Sequence, residues 1–384
     1  PAFLLLEVLV VLAVVSAAWS VDAHLTLERT FTIAALFIAG YGIATLGSRP
    51  QAAAQTILGS VLVGAIAVAV ASLVAVVFAH HDAIQPATDG AGWRFQGVGQ
   101  NPNTVPMLLA VAYPIALGGV LSTRGRTRWL LGAAMLLMAG EISVSGSRGA
   151  LIAGTAGALV VAVALGGSWR RRGFLVAAML VLAAVCVGAN KLQGSPTPVV
   201  AAAPGTTASG QIRHTRGINA QKVFRLEDEL GHPPFGAYRP PVPRTFLGSS
   251  GRAQAWVGAF KQGTQRPVDG YGFGMEERVF VDRFYAFEGG FVENSYLSMF
   301  LQLGAVGVAA FIALIVFLAR DGVRACRANS IDTRAPAAAA SGALLAGAAI
   351  GMTQSGLLAV GNIASVGLWL SVLCLPTLAR SARR

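Results

Sequence analysis

The segment from Gly289 to Val308 reads GGFVENSYLSMFLQLGAVGV, and in it a long polar stretch gives way to an apolar block. Glu293 and Asn294 stand at the boundary, just before a run long enough to form a membrane-spanning helix. A carboxylate at the start of a helix is ordinary, because it interacts favourably with the helix dipole. At the mouth of a membrane helix it is also a candidate catalytic group.

The composition places this junction in a membrane protein. The chain has 384 residues, of which 54% are hydrophobic and 12% charged, and its mean hydropathy is +0.63. Soluble domains carry about twice that charged fraction. The apolar residues form blocks of roughly 18–28 residues, long enough to cross a bilayer. Because lipid offers no hydrogen-bond partners and the blocks do not alternate, helices are expected and not a barrel. The sequence therefore predicts an all-α polytopic membrane protein.

About ten blocks are predicted to span the membrane. The first contains Glu7 and lacks a basic leader, so we interpret it as a span and not as a signal peptide. The predicted spans are 2–20, 30–46, 52–79, 104–122, 129–145, 149–167, 173–190, 293–319, 335–356 and 359–378. The chain is thereby divided into the first seven spans (1–190), a long extracytoplasmic loop (191–292), and the last three spans with a cytoplasmic tail (293–384).

The arginines predict the orientation. Basic segments at 122–128, 168–173 and 320–334, and the C-terminal ARSARR, fall on one side of a ten-span topology. The positive-inside rule makes that side cytoplasmic and places both termini there. The net charge of +12 is explained in this way and requires no nucleic-acid partner.

The long loop changes character along its length. It is rich in Pro and Gly at 194–210 and again at 232–244, where it reads HPPFGAYRPPVPR. GRAQAWVGAFKQG then has helical spacing and predicts an amphipathic helix at 251–262, near the membrane surface. GYGFGMEE (270–277) predicts a tight turn that approaches another backbone. It lacks the strand and helix that flank a dinucleotide-binding loop, so dinucleotide binding by this segment is excluded.

Four predicted outward-facing segments contain charged residues that are unusual for their setting: Arg94, Arg148, Arg252 and Glu293. Each has a structural alternative. Arg94 is also suited to anchoring the interface beside Trp93, Arg148 to snorkelling from a hairpin end, and Arg252 to pairing with lipid phosphates. Together they predict a basic pocket, and arginine suits phosphate because its guanidinium group bonds two oxygens at once.

Glu141 adds a carboxylate deeper in the fifth predicted span. With Ser145 and Arg148 it has the spacing i, i+4, i+7, so the three would share one face if the helix continued. Ionisable groups within spans usually face a bundle interior or a wet cavity. A purely structural carboxylate paired with an arginine is the alternative.

At these residues the chain resembles the O-antigen ligase and O-antigen polymerase superfamily. The resemblance covers most of the chain and depends on the order, spacing and shared sidedness of its motifs. The motifs are RFQGVGQNPN (94–103), SGSRGAL (145–151), GRAQAW (251–256), GYGFG (270–274) and ENSYLSMFLQLGAVGV (293–308).

The resemblance implies a glycosyltransferase that uses a polyprenyl-diphosphate-linked glycan as donor and a glycan or lipid-linked acceptor. It implies that Arg148 and Arg252 grip the diphosphate. Asn294, which matches the junction motif, is predicted to bind substrate, as are the neighbouring polar groups Arg94 and Glu141. Ligase and polymerase activity both remain open.

In that superfamily the junction reads His-Asn-x-x-Leu, with the His as proposed base. Here Asn294 and Leu297 match, but Glu293 occupies the His position. Inverting transfer needs a base for the acceptor hydroxyl and cations for the leaving diphosphate, and Glu293 with the two arginines can supply both. There is no Asp-x-Asp motif, and the cysteines are scattered. We therefore expect no metal, no cofactor and no disulfide.

Two other classes of function compete with this hypothesis. A transporter or flippase would need discontinuous helices and usually an internal repeat, and the sequence shows neither. A membrane scaffold or sensor without chemistry would tolerate changes at Arg148 and Glu293.

Overall fold

The computed structural model describes residues 1–46, 49–86, 93–99, 101–190, 252–280, 291–359 and 361–383. The structure is 78% helical with almost no strand, which confirms the predicted all-α class. The predicted Pro- and Gly-rich part of the long loop lies outside the described residues.

The helices begin and end close to the limits of the apolar blocks. They are α1 (Ala2–Val15), α2 (Ala23–Leu46), α3 (Pro50–Phe78), α4 (His80–Ala83), α5 (Thr104–Ser122), α6 (Gly125–Val144), α7 (Arg148–Leu165), α8 (Trp169–Asn190), α9 (Arg252–Gly263), α10 (Glu276–Val279), α11 (Ser295–Cys326), α12 (Ile331–Gly351), α13 (Ile363–Val372) and α14 (Leu375–Ser381). Two short strands, β1 (Ile84–Gln85) and β2 (Arg94–Phe95), pair antiparallel.

Within the described ranges, seven helical segments are long and apolar enough to cross a membrane: α2, α3, α5, α6, α7, α11 and the segment formed by α13 and α14. The chain is thus a polytopic membrane protein. Two other predicted spans, 2–20 and 335–356, coincide with α1, which is too short for the same criterion, and with α12, whose hydropathy is too low for it. The predicted span 173–190 coincides with α8, several of whose side chains lie outside the described residues.

The low hydropathy of α12 is explained by its position. It packs mainly against α5 and α7 at the centre of the bundle, and its Ala and Gly side chains are largely buried. A β-carbon at Gly342 of α12 would touch the carbonyl oxygen of Gly157 in α7, and the reverse is also true. Small residues let the two backbones approach closely, and a helix surrounded by protein needs little lipid-facing apolar surface.

Helix α11 is interrupted at Gly304, whose φ of 62° is non-helical. The interruption frees carbonyl oxygens that the glycine-rich turn satisfies. The N–H groups of Tyr271 and Gly272 donate to the carbonyl oxygens of Leu301 and Gln302 at 2.8 and 2.9 Å. The turn therefore approaches another backbone, as predicted, and it attaches the extramembrane segment to a membrane helix.

The helix predicted at 251–262 is present as α9. Ala255 and Ala259 are buried on its inner face, whereas Val257 and Phe260 are exposed. The inner face packs against α11, which brings Arg252, the first residue of α9, toward the start of α11.

Candidate functional site

The junction before α11 is fixed by Asn294. Its Oδ1 accepts hydrogen bonds from the N–H groups of Tyr296 and Leu297 at 3.0 and 3.1 Å, which makes it the N-cap of the helix. Its Nδ2 donates to the carbonyl oxygen of Met352, and its own N–H donates to Oγ of Ser355, both at 3.1 Å. The side chain predicted to bind substrate thus fixes the junction to the end of α12.

Glu293 precedes this cap in a left-handed conformation, with φ of 55°. Among the described residues it is the only non-glycine residue with a positive φ. For a residue with a β-carbon this conformation costs on the order of 1–2 kcal/mol, so the surroundings must hold it. Backbone strain of this kind clusters at functional positions, which makes Glu293 a candidate independently of its charge.

Glu293 forms an ion pair with Arg252. Oε2 of Glu293 lies 3.7 Å from Nη2 of Arg252, and each side chain is 20% exposed. Burial raises the pKa of Glu293 above its ordinary value, and the charge of Arg252 partly opposes that rise. A half-enclosed carboxylate with a raised pKa is a better proton acceptor near neutral pH than an exposed one.

Arg148 is near enough to Arg252 for the two positive charges to repel each other. It is the first residue of α7 and follows a tight turn in which Gly146 has φ of 64°. A β-carbon at Gly149 would touch Thr353, so the start of α7 abuts the end of α12. Arg148 and Arg252 carry two positive charges against the one negative charge of Glu293, and a net positive charge attracts anions.

Arg94 holds the turn that precedes Arg148. From β2 it donates through Nε to the carbonyl oxygen of Ser145 at 2.8 Å, and through Nη2 to Oδ1 of Asn103 at 2.9 Å. These contacts position the α6–α7 turn. A direct role of Arg94 in substrate binding stays a prediction.

Glu141 is not brought into this group by any contact. Because α6 ends at Val144 and the chain turns at Gly146, Glu141 and Arg148 belong to different helices, so the condition for a shared helix face is not met. Glu141 is 3% exposed, and its carboxylate oxygens have no hydrogen-bond partner among the described residues. The alternative of a structural pairing with an arginine is therefore not met either.

Glu276 is a residue of this region that the sequence analysis did not single out. It is 5% exposed; its Oε1 accepts from Val292 N–H at 2.6 Å and from Ser355 Oγ at 2.7 Å, and its Oε2 accepts from Ser298. Burial raises its pKa to about 7; these hydrogen bonds oppose the rise and the charge of Glu293 adds to it. The available signal was the acidic pair directly after the glycines of GYGFGMEE.

Three buried polar atoms at the site lack a hydrogen-bond partner within the described part of the chain: Nε of Arg252, Nε1 of Trp256 and Oε2 of Glu293. Trp256 lies about one turn along α9 from Arg252, so the two donors share a face. Native structures seldom leave such atoms unsatisfied unless water or a ligand completes them. The site thus offers two N–H donors and one acceptor to a bound polar molecule.

The fold brings Arg148, Arg252 and Glu293 together from three distant parts of the chain. Arg94 and Asn294 adjoin them and fix the elements that carry them, whereas Glu141 lies apart. No protein-family model and no curated protein sequence matches this chain. Its function must therefore be inferred from the residues and their arrangement.

Proposed function

We propose that the protein is a membrane glycosyltransferase of the O-antigen ligase or polysaccharide polymerase type. It moves a glycan from a polyprenyl-diphosphate donor to an acceptor hydroxyl. The observation that carries the proposal is the ion pair of Glu293 and Arg252, 3.7 Å apart, with the charge of Arg148 beside it. A strained, largely buried carboxylate that pairs with one guanidinium group, with a second guanidinium group near the first, combines a base with a diphosphate site.

In the proposed reaction the carboxylate of Glu293 removes the proton of the acceptor hydroxyl. The acceptor oxygen forms a bond to the anomeric carbon as the bond from that carbon to the diphosphate oxygen breaks. The diphosphate leaves with the electron pair, and the anomeric configuration inverts. Arg148 and Arg252 stabilise the charge that develops on the leaving group. When the diphosphate engages Arg252, the ion pair weakens and Glu293 is free to act as base.

The unsatisfied donors support a phosphate ligand. Nε of Arg252 and Nε1 of Trp256 are buried without partners among the described residues, and phosphate oxygens are strong acceptors. The arginines supply the positive charge that a metal ion supplies in many other sugar transferases. We accordingly predict transfer that persists in a chelator.

We infer that the site faces the extracytoplasmic side of a bacterial inner membrane, with both termini in the cytoplasm. The start of α11 contacts the end of α12, which places the junction at one end of the bundle. At the other end, Gln51 at the start of α3 bonds Thr333 at the start of α12, close to the arginines of 320–334. The positive-inside rule makes that end cytoplasmic.

One observation favours a transporter as the second candidate. Helix α11 is discontinuous at Gly304, and transporters bind substrates at interrupted helices. Here, however, the carbonyl oxygens of Leu301 and Gln302 at the interruption are occupied by the turn at Tyr271 and Gly272. The interruption therefore serves attachment of the loop, and the glycosyltransferase explains more of the site.

The test is incubation of the purified protein, in lipid nanodiscs with EDTA, with a polyprenyl-diphosphate oligosaccharide, followed by sizing of the glycan products. A ladder of products identifies a polymerase, and a single transfer that needs a second acceptor identifies a ligase. The Glu293→Gln variant is the control. Absence of transfer with every acceptor, combined with movement of the labelled lipid across proteoliposomes, would favour the transporter.

A further inference from the structure

Glu276 is the final acceptor of two series of hydrogen bonds, in which each donor group donates toward Glu276. The N–H of Gly274 donates to Oε1 of Gln302 at 2.6 Å, so Nε2 of Gln302 is the group that donates to Oγ of Ser298 at 2.7 Å. Ser298 in turn donates its hydrogen to Oε2 of Glu276. Because the series starts from a backbone N–H, which cannot accept, its direction is fixed.

A second series reaches the other carboxylate oxygen. The N–H of Asn294 donates to Oγ of Ser355 at 3.1 Å, and Ser355 donates to Oε1 of Glu276 at 2.7 Å. The N–H of Val292 donates to the same oxygen at 2.6 Å. Three donors, the N–H of Val292 and the hydroxyl groups of Ser298 and Ser355, thus converge on the carboxylate of Glu276. An ionised carboxylate can only accept hydrogen bonds. An amide at this position has only one acceptor atom and brings two hydrogens that need acceptors.

The two backbone groups held by Glu276 flank the strained residue. Val292 is bonded directly and Asn294 through Ser355, so one buried carboxylate fixes the chain on both sides of Glu293. A residue at φ of 55° keeps that conformation only when its neighbours are held. Glu276 supplies that restraint from α10, a different element of the fold.

We propose that Glu276 is the positioning residue of the transfer reaction, and this inference rests on the proposed function. It holds the main chain at Val292 and Asn294 and thereby directs the carboxylate of Glu293 at the acceptor hydroxyl. The glycine-rich turn that begins α10 places Glu276 against α11, so the turn serves the site as well as the fold.

The side chains that donate hydrogen bonds to Glu276 are uncharged. α11 contributes the uncharged Ser298 and Gln302, and the segment after α12 contributes Ser355. The charge acting on Glu276 is that of Glu293, which is itself paired with Arg252 of α9. The neighbouring charges on α2 and α10, Arg29 and Glu277, pair with each other at 3.3 Å. Because the pKa of Glu276 is raised to about 7, Glu276→Gln removes little charge below that pH and acts mainly through the hydrogen bonds.

The test compares Glu276→Gln with Glu277→Gln. The second variant is a matched control, because Glu277 is the next residue but its side chain is 44% exposed and pairs with Arg29. Glu276→Gln is expected to lower kcat about 100-fold while donor binding is retained, as for a base displaced by about 1 Å. Glu277→Gln should behave as the wild type.

Hydrogen–deuterium exchange supplies a readout that does not depend on activity. The amides of Val292 and Asn294, followed in peptides that cover residues 291–297, should exchange at least about tenfold faster in Glu276→Gln and unchanged in Glu277→Gln. Exchange as slow as in the wild type would overturn the proposal. Faster exchange with unchanged kcat would also overturn it. If the wild-type protein transfers no glycan, the proposed function fails, and the exchange contrast still decides whether Glu276 fixes the junction.

A milder pair of variants covers the case in which Glu276→Gln does not fold. Ser355→Ala and Ser298→Ala each remove one hydroxyl donor to Glu276, but only Ser355 connects it to Asn294. We expect a larger loss of kcat and faster exchange at Asn294 in Ser355→Ala. Equal effects in the two variants would contradict positioning through the junction.

Discussion

Oε2 of Glu293 lies 3.7 Å from Nη2 of Arg252, and the backbone of Glu293 is left-handed where the two side chains meet. The pair joins the junction before α11 to the first residue of α9. One residue thus combines backbone strain, burial and an ion pair. Changes to either partner are expected to affect stability and chemistry in separable ways.

Glu293→Gln should lower transfer by about 10²–10⁴-fold while donor binding is kept, because shape is preserved and only the base is lost. Glu293→His should retain partial activity, since imidazole is also a base. Burial raises the pKa of a carboxyl group and lowers that of an imidazole, so the acid limb should shift by less than the roughly two units that separate the free side chains. Transfer kinetics and donor titrations across pH measure the activity and the donor binding of both variants.

Normal transfer by Glu293→Gln would show that the carboxylate serves only as a charge at the helix end. The base would then be sought at Asp282 or Glu288, which lie outside the described residues.

The strain at Glu293 predicts an inverted order of stability for two inactive variants. Glu293→Gly and Glu293→Ala both remove the carboxylate and differ only in the β-carbon. Glycine normally destabilises relative to alanine, but at φ of 55° it should be the more stable by about 1 kcal/mol. Thermal unfolding in detergent compares them. A less stable glycine variant would show that the left-handed conformation is not strained.

Arg148→Ala and Arg252→Ala should each reduce transfer by orders of magnitude without loss of folding. The Arg→Lys variants should recover little, because lysine presents a point charge and cannot bond two phosphate oxygens in a plane. Arg324→Ala, in the last turn of α11, is the control and should remain active. Full activity of both site variants would remove the arginines from the mechanism.

Glu276 predicts a pH dependence of stability. Its pKa is raised by burial to about 7, so the folded protein binds more protons than the unfolded one between about pH 4.5 and 7. The stabilising contribution is therefore complete below pH 4.5 and is lost as the pH rises through 7. The Tm of the wild type should fall by a few degrees over this range relative to Glu276→Gln, which cannot titrate. Parallel Tm curves for the two proteins would contradict the raised pKa.

Cysteine labelling tests the orientation. In a background without the native cysteines, a probe at Thr264, exposed after α9, should react from outside the cell. Probes at Arg126 and Asn329, both exposed in the predicted cytoplasmic loops, should react only after permeabilisation. Labelling of Arg126→Cys from outside would reverse the topology and move the site to the cytoplasmic face.

Features set by local interactions could be predicted from the sequence. The apolar blocks became helices, because a helix in lipid satisfies its own hydrogen bonds residue by residue. The spacing of Ala255 and Ala259 identified α9, and the glycines before Glu276 identified a turn. By contrast, the spacing of Glu141 and Arg148 would place them on one face only if the helix continued, and α6 ends at Val144. A short turn with a positive-φ glycine was enough to separate them.

The pattern of apolar blocks was enough to predict a helical membrane protein, and the motifs supplied Arg148, Arg252 and Glu293 as candidates. The packing of the helices was needed to show that Glu293 pairs with Arg252, that Glu293 is left-handed, and that Glu276 holds the chain on both sides of it. The physical reason is distance along the chain. Helix formation and capping depend on neighbours within about four residues. Charge state, strain and ion pairing depend on which helices pack together and on how deeply each side chain is buried.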